Sequence, residues 1–549
     1  MNGAEMFADV LAAADVDSLF GLPGSTEAAL LEVLRDRQAP RYVLGLHEGP
    51  VVSMADGYAR VTGRPGVACL HTTVGTLNGA SQIYNAYRDG SPVVVTAGHK
   101  DRTVLSEDGF CAHPHLPEAV RPFTKSAHQT LGPAQLGTDL WRALHASMTP
   151  PAGPAYLAVP EDFLRGPVPD AAAVPPAGNS ALWGRGSCVP DEATCAAAAS
   201  ALAAARWPVV IAGSAARGCA GPLRALADAL AAPVVCTDFT DLADLPFPTA
   251  DHRYLGLYGE DPAVLEGCDL VLAVGARLFF PFSAGRHPRL PAGAAVVHIH
   301  PDPAQPGSRV PTATAIAADP AAALQALLPH LRGALDEAVV AGRAGRLASL
   351  RAARQSARQR ERDTAGTPMR VEHVAHELNE VLPLDAIVVD EGVRSSTALL
   401  RHLDIGDGQR LLRSSGGALG WGVPAAVGAQ LGQPGRPVLA VVGDGSYHFS
   451  VQALWTAVQQ EVPLVVVVLD NGGYLAVKRA IEGYLGVAHD PRAHPGTRLP
   501  AIDHVAVARG YGAAGTRAER PGEVGAAVKE ALSAGGVHVI AATVAEARP

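Results

Sequence analysis

The chain has little of what would tie it to an oxidising compartment, a membrane or a polyanion. Cysteine occurs only seven times in 549 residues, an odd number. Cys69, Cys111, Cys188, Cys195, Cys219, Cys236 and Cys268 are scattered, and none stands in CxxC spacing. That pattern argues against a disulfide framework or a zinc site and for reduced thiols. There is no long basic run and the net charge is −9, so neither nucleic acid nor an anionic membrane is an expected partner. No apolar stretch reaches the length of a membrane span without charges or breakers. The opening residues, MNGAEMFADVLAAADV, read as an amphipathic helix rather than a basic-then-apolar leader, and the expected location is the cytoplasm. Aromatic residues make up 5% of a chain that is 48% hydrophobic and rich in Ala and Gly, the composition of a soluble globular protein with an ample core.

What is present is a repeated alternation of short apolar runs and helical periods. The length allows three or four domains of ordinary size. Residues 1–180 alternate helix and strand: Arg41 to Leu46, Gly66 to His71 and Pro92 to Ala97 read as strands, with helical periods at 28–37, 49–62 and 74–87. Residues 165–190, rich in Pro, Ala and Gly, read as a linker. A second alternation fills 190–333, with strands at Trp207 to Ala212, Pro233 to Cys236, Leu270 to Val274 and Ala295 to Ile299. Its turn AGSAARG at 212–218 reads as structural, since it lacks a clean GxGxxG pattern. The Arg- and Ala-rich run at 333–368 reads as a charged surface helix and connector. A third alternation occupies 369–549. Three doubly wound α/β domains with parallel sheets are therefore expected.

The most informative stretch is 441–474, VVGDGSYHFSVQALWTAVQQEVPLVVVVLDNGGY. An apolar strand runs into Gly443-Asp444-Gly445-Ser446, a helical stretch of roughly four turns follows, and a second apolar strand runs into Asp470-Asn471-Gly472-Gly473-Tyr474. Parallel strands joined in this way present their carboxyl ends on one edge, where ligands of open α/β sheets bind. Asp444 offers a carboxylate, Asn471 an amide oxygen and Gly473 a backbone carbonyl, an oxygen set suited to Mg²⁺ or Ca²⁺. Gly443 and Gly445 allow backbone N–H groups to approach an anion, and the following helix adds its positive end. Metal and diphosphate fit this edge together.

GDG followed by a near-NN pair resembles the metal and diphosphate motif of the thiamine-diphosphate-dependent enzymes. The first Asn of that pair is Asp470 here, which leaves Asn471 as the ligand. The resemblance extends over essentially the whole chain: FGLPGSTE, HEGPVVSMADGYAR, LHTTVGTLNG and SGGALGWGVPAAVGAQL are similar to segments of the benzoylformate decarboxylase branch. It implies pyrimidine-binding, central and diphosphate-binding domains, in that order, and thiamine diphosphate with Mg²⁺ (or Ca²⁺) as cofactors. It also implies an assembly of at least two copies, a homodimer or homotetramer, with sites at subunit interfaces.

By the same resemblance Glu48 hydrogen-bonds the aminopyrimidine ring, while Ser25 and His71 match substrate- and proton-handling positions. Read alone, Glu48 is also a carboxylate at a helix start, His71 a strand-end histidine and Ser25 a helix N-cap. Leu419 matches the bulky residue that bends the cofactor, and Gly417 lies in its pyrimidine-contacting loop. Ser395, Ser396, Ser446 and Tyr474 fall near the diphosphate or substrate. The implied reaction is decarboxylation of an aromatic or bulky 2-oxoacid to an aldehyde and CO₂, with carboligation as an accompanying activity. One departure favours an alternative, ligation or lysis without efficient decarboxylation. Phe282 stands where these decarboxylases carry a second histidine, and His113 and His115, otherwise solvated loop residues, are the available substitutes.

Overall fold

Short runs of Val, Ile, Leu and Ala that are buried on both faces form the strands of three six-stranded sheets. The structure is a computed structural model that describes residues 1–105, 107, 109–169, 188–281, 289–363, 368–488, 490 and 493–546. The first sheet comprises β1 (Ser18–Gly21), β2 (Arg41–Leu44), β3 (Gly66–His71), β4 (Val93–His99), β5 (Ser126–Gln129) and β6 (Ala155–Pro160), in the order β2-β1-β3-β4-β6-β5. The second comprises β7 (Pro208–Ala212), β8 (Val234–Cys236), β9 (Tyr254–Leu257), β10 (Leu270–Val274), β11 (Ala295–His300) and β12 (Thr314–Ala317), in the order β12-β11-β10-β7-β8-β9. The third contains β13 (Ile387–Glu391), β14 (Arg410–Arg413), β15 (Val438–Gly443), β16 (Leu464–Asp470), β17 (Ala514–Ala518) and β18 (Val537–Thr543). Strands pair in parallel throughout, as where Val441 of β15 faces Val467 of β16 and Leu70 of β3 faces Ala97 of β4.

The chain packs as two units: Met1–Arg185 with Ile387–Ser395 and Gly416–Pro549, and Gly186–Ala386 with Ser396–Ser415. The first unit holds the whole first sheet and β13-β15-β16-β18-β17 of the third; β14 is counted with the second unit, which holds the second sheet. Inside the first unit the helix Glu48–Thr62 lies close along the helix Gly422–Gly432. The approach depends on small residues: a Cβ on Gly57 would overlap the Ala425 carbonyl, and one on Gly428 would overlap that of Met54. A buried polar network spans the same contact. Trp421 Nε1 donates to Asp56 at 2.7 Å, and Arg60 pairs with both Asp56 and Asp89.

Three expectations change. The stretch after GDG is two short helices, Asp444–Ser450 and Ala453–Gln459, not one. Leu454 and Trp455 donate back three residues, to Val451 and Gln452, which tightens the chain into a turn between them. The charged helix Glu337–Arg362 is not wholly solvated, because the Arg343 guanidinium is buried and donates to the carbonyls of Ala203, Ala205 and Leu230. Strands β5, β9, β12, β14 and β17 at the sheet edges, and the fully buried β6, join the sheets where no strand was expected. The glycine-containing turn after β7 is packed backbone to backbone, since a Cβ on Gly213 would overlap Ala276. Residues 170–187 of the linker and Phe282 lie outside the described residues. Among the described residues no helix is long and apolar enough to cross a membrane.

Candidate active site

β15 and β16 are adjacent parallel strands, so their carboxyl ends deliver Asp444 and Asn471 to one edge. Asp444 begins the helix that follows β15 and is 2% exposed. Its carboxylate accepts from Gly445 N–H at 2.8 Å and from Gly473 N–H at 2.8 Å, which ties the two loops together. Burial pushes the Asp444 carboxyl above its ordinary range, and the nearby Asp470 adds to the effect, while the two N–H donors oppose it. Asn471 Oδ1 and Ser446 Oγ are buried polar atoms with no protein hydrogen bond. An enclosed carboxylate beside a buried amide oxygen with no protein donor is the donor chemistry that fits a hard divalent metal. Gly473 has φ +148, and its carbonyl also accepts from Leu475 N–H at 3.0 Å. A Cβ there would overlap the Thr497 carbonyl, so glycine is required. A Cβ on Gly445 would lie 2.7 Å from the Tyr474 ring, which places Tyr474 over the same loop. Asp470 does not face this donor set alone: His504 Nε2 stands 3.5 Å from its carboxylate and His448 Nε2 lies 3.0 Å from His504 Nδ1. Among the described residues no three His, Cys, Asp or Glu side chains cluster for a metal, in keeping with a site that uses one carboxylate and neutral oxygens.

β13 ends one strand over from β15. Ser395 is buried in the loop that follows, with its N–H on the Gly392 carbonyl at 2.9 Å; Ser396 opens a helix counted with the second unit. Glu391 has a role that the sequence reading missed. Its carboxylate accepts from the N–H groups of Gly420, Trp421 and Gly422 at 2.8, 3.2 and 2.7 Å and so holds the loop that carries Gly417 and Leu419. Burial raises its carboxyl to about 7 although those three donors favour the anion. The same loop is gripped from the helix Thr72–Asp89: Gln82 donates to the Leu419 carbonyl at 3.0 Å, and Asn85 exchanges bonds with Ala418 at 2.8 and 3.1 Å. Asn78, Gln82, Asn85 and Asp89 recur at helical spacing, a polar stripe that the sequence carries openly.

The second set stands at the carboxyl edge of the first sheet, after β2, β1 and β3. Glu48 opens the helix Glu48–Thr62, is 7% exposed and accepts from Asn78 at 3.1 Å. Ser25 is not the N-cap: it begins a 3₁₀ turn capped by Gly24, and its hydroxyl accepts from Lys100 at 3.2 Å. Glu27, a second residue missed, turns back to accept from Gly24 N–H at 2.8 Å and meets His71 Nδ1 at 3.2 Å. A capping glutamate is foreshadowed by its spacing in GSTE. The loop bearing His113 and His115 is tied down, with Thr73 donating to the Cys111 carbonyl at 3.2 Å and His99 Nε2 3.1 Å from the His113 carbonyl. No hydrogen bond joins Ser25, Glu48 or His71 to Asp444, Asn471 or Gly473 among the described residues.

Comparison with known proteins follows the same division. Residues 1–118 match the thiamine pyrophosphate enzyme N-terminal TPP binding domain, 195–327 the central domain and 394–542 the C-terminal TPP binding domain. The chain is 34% identical over 540 residues to benzoylformate decarboxylase of Pseudomonas aeruginosa, covering 96% of each. It is 28% identical to acetolactate synthase isozyme 3 large subunit of Escherichia coli, over 97% of this chain and 92% of the relative. Its fold is similar to the 4-hydroxybenzoylformate decarboxylase of Rhodococcus jostii RHA1 (TM-score 0.85, 27% identity, 100% of both chains). It is also similar to benzoylformate decarboxylase from Polynucleobacter necessarius (TM-score 0.82, 26% identity, 100% of both).

Proposed function

The chain belongs to the thiamine pyrophosphate enzyme family, and from that premise we propose that it decarboxylates an aromatic or bulky 2-oxoacid of the benzoylformate type to an aldehyde and CO₂. The observation that carries the reading is full-length likeness to benzoylformate decarboxylases in both sequence and fold. Asp444, Asn471 Oδ1 and the Gly473 carbonyl hold Mg²⁺, or Ca²⁺ in its place. The N–H groups of Gly443 and Gly445 and the hydroxyls of Ser446 and Ser395 would receive the diphosphate. Gly417, Leu419 and Tyr474 would be the residues that face the cofactor. When bound, thiamine diphosphate supplies the electron sink for the carbon–carbon bond that breaks. Glu48 holds the aminopyrimidine by a carboxylate that Asn78 orients, Ser25 binds the substrate carboxylate, and His71 gives and takes a proton at Nε2.

The domain limits that go with this reading are 1–180, 190–333 and 369–549. Two sets of residues in one chain without a bond between them support a site completed by a second copy, in a homodimer or homotetramer. The helix Thr72–Asp89 adds support, because it turns Gln82, Asn85 and Asp89 inward while leaving Leu77, Tyr84 and Tyr87 exposed. Seven free cysteines support a reducing, cytoplasmic location. Incubating the protein with thiamine diphosphate, Mg²⁺ and either benzoylformate or pyruvate tests the reaction. The proposal expects CO₂ and benzaldehyde from benzoylformate in preference to CO₂ from pyruvate. The likeness to acetolactate synthase supports a second reading, carboligation; an acyloin product without net aldehyde release would favour it.

A further inference from the structure

His71 is held from one side only. Its Nδ1 lies 3.0 Å from Thr26 Oγ1 and 3.2 Å from Glu27 Oε2. Thr26 Oγ1 lies 2.6 Å from Glu27 Oε1 and donates to it. A carboxylate has no hydrogen of its own to give, so the Thr26 proton is committed to Glu27. What remains on the Thr26 oxygen toward His71 is a lone pair. Both neighbours of Nδ1 are therefore acceptors, and the ring must place its hydrogen there. Nε2 carries the lone pair in the neutral ring, and among the described residues it has no protein partner. The His71 side chain is 20% exposed and that of Glu27 only 1%. The carboxylate is thus locked in place while the far edge of the ring stays open.

The packing leaves no freedom to this arrangement. A Cβ on Gly24 would overlap the His71 ring, and one on Gly98 would overlap Glu27 Oε1 and Thr26 Oγ1. Gly24 N–H donates to the same Glu27 oxygen that faces His71. The buried Cys69 and the half-buried Tyr42 lie near Glu27, and its carboxylate adds to the upward push that desolvation puts on their ionisation.

We infer that Glu27 is a positioning residue for His71: with Thr26 it fixes the Nδ1–H tautomer and confines proton exchange to Nε2. The inference rests on the proposed proton-handling role of His71. A proton given up at Nε2 to the product is replaced there from solvent, while Nδ1–H keeps its place on Glu27 throughout the cycle. The logic is that of a carboxylate orienting a general-base histidine.

Glu27→Gln tests it. The amide keeps the shape and one acceptor, but its NH₂ donates to Thr26. That frees the Thr26 hydroxyl hydrogen for Nδ1, and the tautomer is no longer enforced. Nitrogen-15 spectra of histidine-labelled holoenzyme, with His71 assigned by its loss in His71→Gln, should show Nδ1 protonated in the wild type and a mixture in Glu27→Gln. The variant should lose kcat on the order of 10²-fold with little change in KM. Glu27→Gln added to His71→Ala should cost nothing further, because Glu27 acts through that ring. Additive losses, or a wild-type ring protonated at Nε2, would overturn the inference. Thr26→Val keeps the carboxylate and should keep Nδ1–H, which gives a second reading if Glu27→Gln does not fold. A His71→Ala enzyme with wild-type kcat would instead remove the proposed role of His71, while the spectrum would still decide where the proton sits.

Discussion

The edge of the third sheet and that of the second invite comparison, because both are carboxyl ends of parallel strands with the same kind of crossover. At β15 and β16, among the described residues, Asn471 Oδ1 and Ser446 Oγ are buried with no protein hydrogen bond, and the enclosed Asp444 carboxylate is met only by the N–H groups of Gly445 and Gly473. At β7, β10 and β11 they answer one another. Arg277 pairs with Asp241, His298 Nε2 sits 2.8 Å from the Ala276 carbonyl, and His300 Nδ1 accepts from Asp302 N–H at 3.0 Å. Burial depresses His300 to about 4, which keeps it neutral in that contact. Thr237 Oγ1 departs from this, buried with no hydrogen-bond partner among the described residues. Topology offers an edge, and unsatisfied donors and acceptors decide whether it is built for a ligand.

The comparison breaks most visibly at Asp444. Asp444→Asn removes the one charge among the proposed ligands. It should weaken Mg²⁺-dependent thiamine diphosphate binding by about 10²-fold or more, read by titration calorimetry. Wild-type affinity would mean that the third-sheet edge is not the metal site. At the second sheet Arg277→Met should do something different. It strands the Asp241 carboxylate, which burial already pushes above its ordinary range, and should cost roughly 3–5 kcal/mol of stability in denaturant unfolding. Cofactor affinity should not follow; a parallel loss would show that the two edges are not so distinct.

The smallest effect sharpens the contrast through pH. The Glu391 carboxyl ionises near 7 in the folded chain against an ordinary 4.5. The folded state therefore keeps a proton that the unfolded chain has released. That contribution is complete below about pH 4.5 and is lost as pH rises through about 7. Its size is at most on the order of 3 kcal/mol. Glu391→Gln should flatten that part of the stability profile between pH 5 and 7, read as melting temperature in the absence of cofactor. An unchanged slope would locate the pH dependence elsewhere.

How much of this the sequence carried differs by region for a physical reason. The GDG and DNGGY loops were readable because metal and anion chemistry restrict residue type locally, at strand ends that the apolar runs mark out. Short edge strands were not: β12 and β17 are half exposed and carry no buried run to betray them. Glu391 was missed because its partners, the N–H groups of residues 420–422, lie far off in sequence; the local bond of Glu27 to Gly24 is legible in GSTE, but its contact with His71 comes from a residue far along the chain. Ser25 looked like a cap because a lone serine before a helix usually is one, but Gly24 caps the 3₁₀ turn that Ser25 begins and Glu27 stands at the N-cap of the helix Ala28–Arg35. Arg343 looked solvated because its neighbours are charged, while three carbonyls from distant helix ends and turns bury it.

The central claim is that Glu48 and the Asp444–Asn471 pair serve one thiamine-dependent reaction with separable duties. The most direct measurement is thiamine diphosphate binding and CO₂ release from benzoylformate by Glu48→Gln in a single preparation with Mg²⁺. The expected result is a cofactor held with near wild-type affinity and CO₂ release lower by roughly 10²–10⁴-fold. Full turnover in that variant would contradict the claim.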